Sequence, residues 1–180
     1  MKKIIFLFVI CLVSACTNKN QSPASTSDST DCVQTSKVQE PLKMGNKSFS
    51  DSFLLGSKQY IYQIAVTPDE TLPKVREEET GDVWCDNRIS IKILRDSTVV
   101  FQKDFTKTDF ASHLDDNFKV NSILEGIMFR QASNGEAVFS ASVCYPQSDL
   151  FIPFALKIQL SNGNVTISKE EMDELEETEE

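Results

Sequence analysis

The chain is short of the residues from which most enzyme and metal sites are built. Among 180 residues it has one histidine, His113, so a Ser-His-Asp mechanism would have to run through that position. His113 stands beside Asp115 on what reads as a short helix, the setting of an ordinary surface residue. There is no Gly-x-Ser-x-Gly nucleophile elbow and no phosphate-cradling glycine loop. No two of the five cysteines stand in C-x-x-C spacing, which with a single histidine argues against zinc. Asp115-Asp116-Asn117 lacks the ligand spacing of a calcium loop. No metal and no cofactor is therefore expected. Basic residues form no patch interleaved with aromatics, which excludes nucleic acid as an expected partner. No apolar run approaches the ~20 residues a membrane-spanning helix needs.

What is present begins at the N-terminus. Lys2 and Lys3 precede the apolar run Ile4-Ile5-Phe6-Leu7-Phe8-Val9-Ile10-Cys11-Leu12, and Val13-Ser14-Ala15-Cys16 places small residues before a cysteine. This is the layout of a secretory signal, and it resembles the lipobox of bacterial lipoproteins. Residues 1–15 then read as a signal peptide and Cys16 as the lipidated N-terminus. That would anchor the chain in the cell envelope, with several acyl chains giving stable membrane attachment. No Asp follows the cysteine in Thr17-Asn18-Lys19-Asn20-Gln21, which favours the periplasmic face of the outer membrane. Residues 16–47 read as a tether, because Gln21–Asp31 is almost wholly small or polar and cannot bury enough apolar area to offset chain ordering.

The net charge of −9 is unevenly placed. Eight of the 27 acids lie between Glu170 and Glu180, whereas Cys16 to Ser168 holds 15 bases against 19 acids. Residues 169–180 read as an acidic solvated tail.

Between them, residues 48–168 show period-two alternation, the strand period. Tyr60, Tyr62, Ile64 and Val66 alternate with neighbours of the opposite face. So do Ile89, Ile91 and Ile93, and so do Phe154, Leu156, Ile158 and Leu160. Gly56-Ser57, Arg95-Asp96-Ser97, Asn134-Gly135 and Asn162-Gly163 read as hairpin turns; Asn-Gly is the preferred type I′ pair, since both residues tolerate positive φ. Thr108 reads as the cap of a short helix carrying Phe110, Leu114 and Phe118 on one face. The expected fold is mainly β: an antiparallel barrel or a two-sheet sandwich of about seven or eight strands with one short helix.

Twelve phenylalanines against one tryptophan point to a Phe-built core. Cys85 and Cys144 are the cysteines left in the body. A bridge between them would close a long loop worth ~4 kcal/mol. Against it, Cys85 shares strand parity with Ile89 and Ile91, whereas Cys144 shares parity with Ser140 and Ser142. Pairing and two separate thiols both stay open.

Two polar clusters stand at strand ends, where loops on a rigid scaffold carry binding groups. One is Asp86-Asn87-Arg88; the other contains Tyr145, Gln147 and Asp149. Both are candidates for ligand or partner binding. The bland alternative has Asp86 and Asn87 satisfying a turn and Arg88 pairing with a carboxylate. Catalytic residues are not assigned. Asp86, Asp104, Asp109, Asp115, Asp116 and Asp149 supply carboxylates in number, but spacing alone brings no two together.

Four segments together resemble a family of small Bacteroidetes lipoproteins classed only as a domain of unknown function. They are Cys85-Asp86-Asn87-Arg88-Ile89-Ser90-Ile91, Asp104–Ser112, Ser122-Ile123-Leu124-Glu125-Gly126 and Ser142-Val143-Cys144-Tyr145-Pro146-Gln147. The resemblance implies an exported lipoprotein of a Gram-negative envelope and lends no activity. The chain departs from it in carrying cysteines at both 85 and 144, a joint departure that favours their pairing. The expected function is a non-enzymatic binding or assembly module for an envelope protein or a small ligand. The alternatives are a carboxylate-dependent hydrolase of envelope glycan and a β-barrel carrier of an apolar ligand.

Overall fold

The computed structural model describes residues 39–171. Cys16, the signal and most of the tether lie outside the described residues, as do residues 172–180 of the acidic tail. In chain order the strands are β1 (Lys47–Leu55), β2 (Lys58–Pro68), the two-residue β3 (Val75–Arg76) and β4 (Val83–Trp84), β5 (Asn87–Arg95), β6 (Thr98–Phe105), β7 (Ile123–Ser133), β8 (Glu136–Cys144), β9 (Phe151–Gln159) and β10 (Val165–Lys169). They form two four-stranded antiparallel sheets, ordered β1-β2-β5-β6 and β10-β9-β8-β7, with β3-β4 as a small separate ribbon. The sheets are not closed into a barrel, so the architecture is the sandwich.

The alternation explains the layering. Ile64 and Val66 of β2, with Ile89, Ile91 and Ile93 of β5, face Phe139, Ala141 and Val143 of β8 and Phe154, Leu156 and Ile158 of β9 in one buried cluster. Phe105, Phe110, Phe139 and Phe154 are fully buried and fill the space between the sheets. Each such side chain contributes roughly 1.5–3 kcal/mol by leaving water.

The hairpins follow the turn chemistry with one exception. Asn134 and Gly135 have φ of 52° and 82°, and Asp96 and Ser97 have 50° and 66°, the paired positive values of type I′ turns. The Asn162-Gly163 hairpin is different: only Gly163 is positive, at 74°, and the strands end at Gln159 and resume at Val165. The Asn162 carboxamide oxygen instead accepts the Asn164 N–H at 2.9 Å, which widens the loop.

The helical segment also departs from expectation. A 3₁₀ turn, Lys107–His113, is followed by α1 (Asp116–Asn121). Thr106, not Thr108, holds the N-terminal position, because the Asp109 carboxylate reaches back to its N–H at 2.9 Å. Leu114 and Asp115 are extended, and the Asp115 side chain accepts the Phe118 N–H at 2.8 Å, so a second helix starts where one was expected to continue. Phe110 and Leu114 still enter the main core, and Phe118 packs at its margin.

The segment before β1, placed in the tether by composition, runs along the body from residue 39. Leu42 bridges to Trp84, its N–H donates to Val83 O at 2.7 Å, and its carbonyl accepts the Cys85 N–H at 2.8 Å. Met44 packs on a small second cluster of Val75, Ile123 and Cys144. Cys85 and Cys144 are both buried and both free, so the bridge considered from sequence is not formed. The parity argument shows why: β8 turns Ala141 and Val143 into the main core, while Cys144 belongs to the second cluster on the other side of the strand.

Candidate functional site

The two polar clusters face opposite ways. Asp86 is 3% exposed and Asn87 is fully buried. Asp86 Oδ1 accepts the N–H of Asn87 and the N–H of Leu124, each at 2.8 Å. Asn87 Nδ2 donates to the Leu124 carbonyl at 2.9 Å. Together they bind the start of β5 to the start of β7, in the other sheet. Lys107 Nζ lies 3.9 Å from Asp86 Oδ2 and donates to the Ser122 carbonyl, adding the start of the 3₁₀ turn to the same junction. Burial dominates the electrostatics here. It pushes the Asp86 carboxyl above the ordinary range, opposed by the two backbone donors, and pushes Lys107 down. Arg88 is turned outward and clamps Asp69, with Nε and one terminal nitrogen 2.8 and 2.7 Å from Oδ2. Thr71, through its hydroxyl and N–H, and then Arg88 hold Asp69 down to about 2.

Tyr145, Gln147 and Asp149 instead line an open cleft of about 550 Å³ at one end of the sandwich. Its walls come from three separate stretches: Arg76–Thr80 after β3, Asn117 and Asn121 on α1, and Tyr145–Leu150 between β8 and β9. The last stretch is braced by backbone bonds from Tyr145 N–H to the Leu150 carbonyl and from Ser148 N–H to the Tyr145 carbonyl. The Tyr145 ring stacks on Phe118 with centroids 4.5 Å apart, which ties the loop to α1. Desolvation, then the charges of Asp115 and Glu78, push its phenol up. Gln147 sits at φ 58°, a left-handed conformation that costs a non-glycine residue about 1–2 kcal/mol.

The cleft is electronegative. Glu77, Glu78, Glu79 and Asp149 line it against Arg76 alone, whose guanidinium donates to Gly81 O at 2.8 Å. Glu77 is committed to its own turn, accepting from Thr80 and Glu79, which lowers its pKa. Glu78 accepts from Asn121 at 3.4 Å. The far side of the same loop borders a second groove of about 420 Å³ with Met44, Trp84, Glu125 and Cys144. There burial, followed by Glu125, pushes the Cys144 thiol up to about 12, which makes it a poor nucleophile.

The structure therefore gathers Tyr145, Gln147 and Asp149 in one cleft, and neither Asp86, Asn87 nor Arg88 is among its lining residues. No sequence signal points to Glu78, Asn117 or Asn121 as part of this cleft. Glu77–Asp82 reads as an exposed loop and Asp115-Asp116-Asn117 as a solvated helix end, and no periodic signal links either to residue 145. Among the described residues no group of three or more His, Cys, Asp or Glu is placed to hold a metal ion.

An antiparallel β-sandwich with a polar, loop-built cleft at one end is a scaffold class rather than an activity. The chain belongs to the family described as a domain of unknown function, DUF4738, which matches residues 27–167. No curated protein matches the chain.

Proposed function

We propose that this protein is a lipid-anchored, non-enzymatic binding module of a bacterial cell envelope, and that the cleft at Tyr145–Leu150 engages its partner. The observation that carries the reading is the convergence of three separated segments on one concave polar surface at the end of a rigid sandwich. Three glutamates and one aspartate against a single engaged arginine favour a ligand that presents cationic or hydrogen-bonding groups, on an envelope protein or a small molecule. The lipobox at Val13–Cys16 supports the anchor, and the absence of Asp after Cys16 supports the periplasmic face of the outer membrane. The resemblance to Bacteroidetes lipoproteins fits the same address.

The test is in-cell photo-crosslinking from position 147 of the full chain, followed by mass spectrometry. One dominant envelope partner, lost when Glu78 and Asp149 are both replaced by Lys, is the expected outcome. No product above a probe at Lys157, exposed on β9 and outside the cleft, would overturn the reading. Cys16→Ala should abolish acyl labelling; persistent labelling would remove the anchor.

A second reading, hydrolysis of envelope glycan by paired carboxylates, is favoured by Glu78 and Asp149 lining one cleft. Release of reducing sugar from envelope glycan, abolished by Asp149→Asn, would favour it over binding alone. Carriage of an apolar ligand has no comparable support, because Phe105, Phe110, Phe139 and Phe154 fill the space between the sheets.

A further inference from the structure

Four strands border the two sheets: β1, β6, β7 and β10. An open edge presents unpaired backbone groups and invites another strand, so folded proteins usually interrupt it. β6 carries an extra residue, Val100, where its register with β5 shifts. β7 carries two, Glu125 and Arg130. All three insertions are bulges that bend an edge away from pairing. β10 has only five residues. β1 has none of these devices. Its nine residues keep unbroken register with β2, from Lys47 opposite Val66 to Leu55 opposite Lys58.

The side chains of β1 name an occupant. Strand parity puts Lys47, Phe49 and Asp51 on the same face as buried Phe53. Phe49 is 49% exposed. Among the described residues, neither Lys47 nor Asp51 forms an ion pair. The pentapeptide Lys47-Ser48-Phe49-Ser50-Asp51 is self-complementary when reversed. An antiparallel pairing with its own copy, centred on Phe49, sets Lys47 opposite Asp51 twice, Ser48 opposite Ser50 twice, and Phe49 opposite Phe49. Residues directly opposite in such a pair share a face and interact, so both ion pairs and the aromatic pair form on one side. Beside Phe49 lies an open groove of about 440 Å³ bordered by Val66, Gly126, Met128 and Phe151, which has room for the facing Phe49 ring. A Cβ built at Gly126 would meet nothing within 4 Å, so this flank is unobstructed.

We infer that the protein self-associates through β1, as a two-fold dimer in which two copies join edge to edge and the β1-β2-β5-β6 sheets become one eight-stranded sheet. The interface is isologous, as a two-fold requires, because the same five residues serve both sides. It is independent of the cleft, to which β1 contributes no residue.

The experiment is co-expression of two differently tagged full-length copies, capture through one tag in detergent, and quantification of the other. Wild-type copies should capture each other. K47E sets Glu against Asp51, and D51K sets Lys against Lys47. Each variant alone should therefore lose about tenfold of its self-capture, two favourable pairs having become repulsive. K47E co-expressed with D51K restores opposite charges at both positions and should recover wild-type capture. That recovery also separates lost association from lost folding, since an unfolded variant is not rescued by another. Absence of wild-type capture, indifference to the single reversals, or failure of the mixed pair would each overturn the inference.

Discussion

Asp86-Asn87-Arg88 and Tyr145–Asp149 look alike in sequence: short polar runs at the mouth of an apolar strand. In the fold they are opposites. The first is turned inward, with Asp86 and Asn87 hydrogen-bonded to the backbone of Leu124 in the other sheet. The second is turned outward, with Gln147 and Asp149 lining a cleft while Tyr145 stacks on Phe118 and the Ser148 hydroxyl accepts the Leu150 N–H. A buried polar group is tolerated where backbone partners satisfy it, and removing its partner costs more than the bond contributed. The two runs should therefore respond to mutation in opposite ways, one through stability and the other through binding.

The largest effect is expected at Asp86. Asp86→Ala strands the N–H groups of Asn87 and Leu124 and leaves Lys107 without its nearby carboxylate, which should cost about 3 kcal/mol. Chemical denaturation measures this; a loss below ~1 kcal/mol would mean the junction is not what holds the sheets together here. Asp86→Asn keeps one acceptor oxygen and should cost less.

The pH response sharpens the same contrast. Burial raises the folded-state pKa of Asp86, so its contribution is present below the unfolded value and is lost as pH rises through the raised one. Asp69 has the opposite sign. Held at about 2 against an ordinary 3.8, it contributes fully above about 4 and loses that contribution as pH falls toward 2. Melting curves across pH should show Arg88→Ala shrinking the loss as pH falls and Asp86→Asn flattening the loss as pH rises above the ordinary carboxylate range. If neither variant changes its own limb, these assignments fail.

In the cleft, Gln147→Ala combined with Asp149→Ala should change stability by no more than about 0.5 kcal/mol while abolishing crosslinking to the partner from a probe placed at Asn117, on the opposite wall. A destabilisation like that of Asp86→Ala would make the loop structural after all. The smallest expected effect is Gln147→Gly. It relieves the positive φ at 58° but adds chain entropy to the unfolded state, so stability should rise by only a few tenths of a kcal/mol.

Much of the fold was legible before any coordinate. The alternation of Ile89, Ile91 and Ile93 assigned the inward face of β5, and Asn134-Gly135 placed its hairpin to the residue. Both signals are local: a strand repeats every two residues, and a type I′ turn needs two adjacent positive φ values. The helical segment was read less well, because Asp109 and Asp115 each compete for nearby backbone N–H groups and the spacing of Phe110, Leu114 and Phe118 does not report that competition.

What the sequence by itself determined is the strand pattern, most of the turns, the Phe-built core and the acidic C-terminal stretch, since each depends on neighbours a few residues apart. Only the tertiary structure decided that the sheets form a sandwich and not a barrel, that Cys85 and Cys144 stay apart, and that Asp86 meets Leu124 while Tyr145 meets Phe118 and shares a cleft with Glu78. These depend on which distant strands lie beside one another. That is set by the packing of whole faces, and no spacing along the chain encodes it.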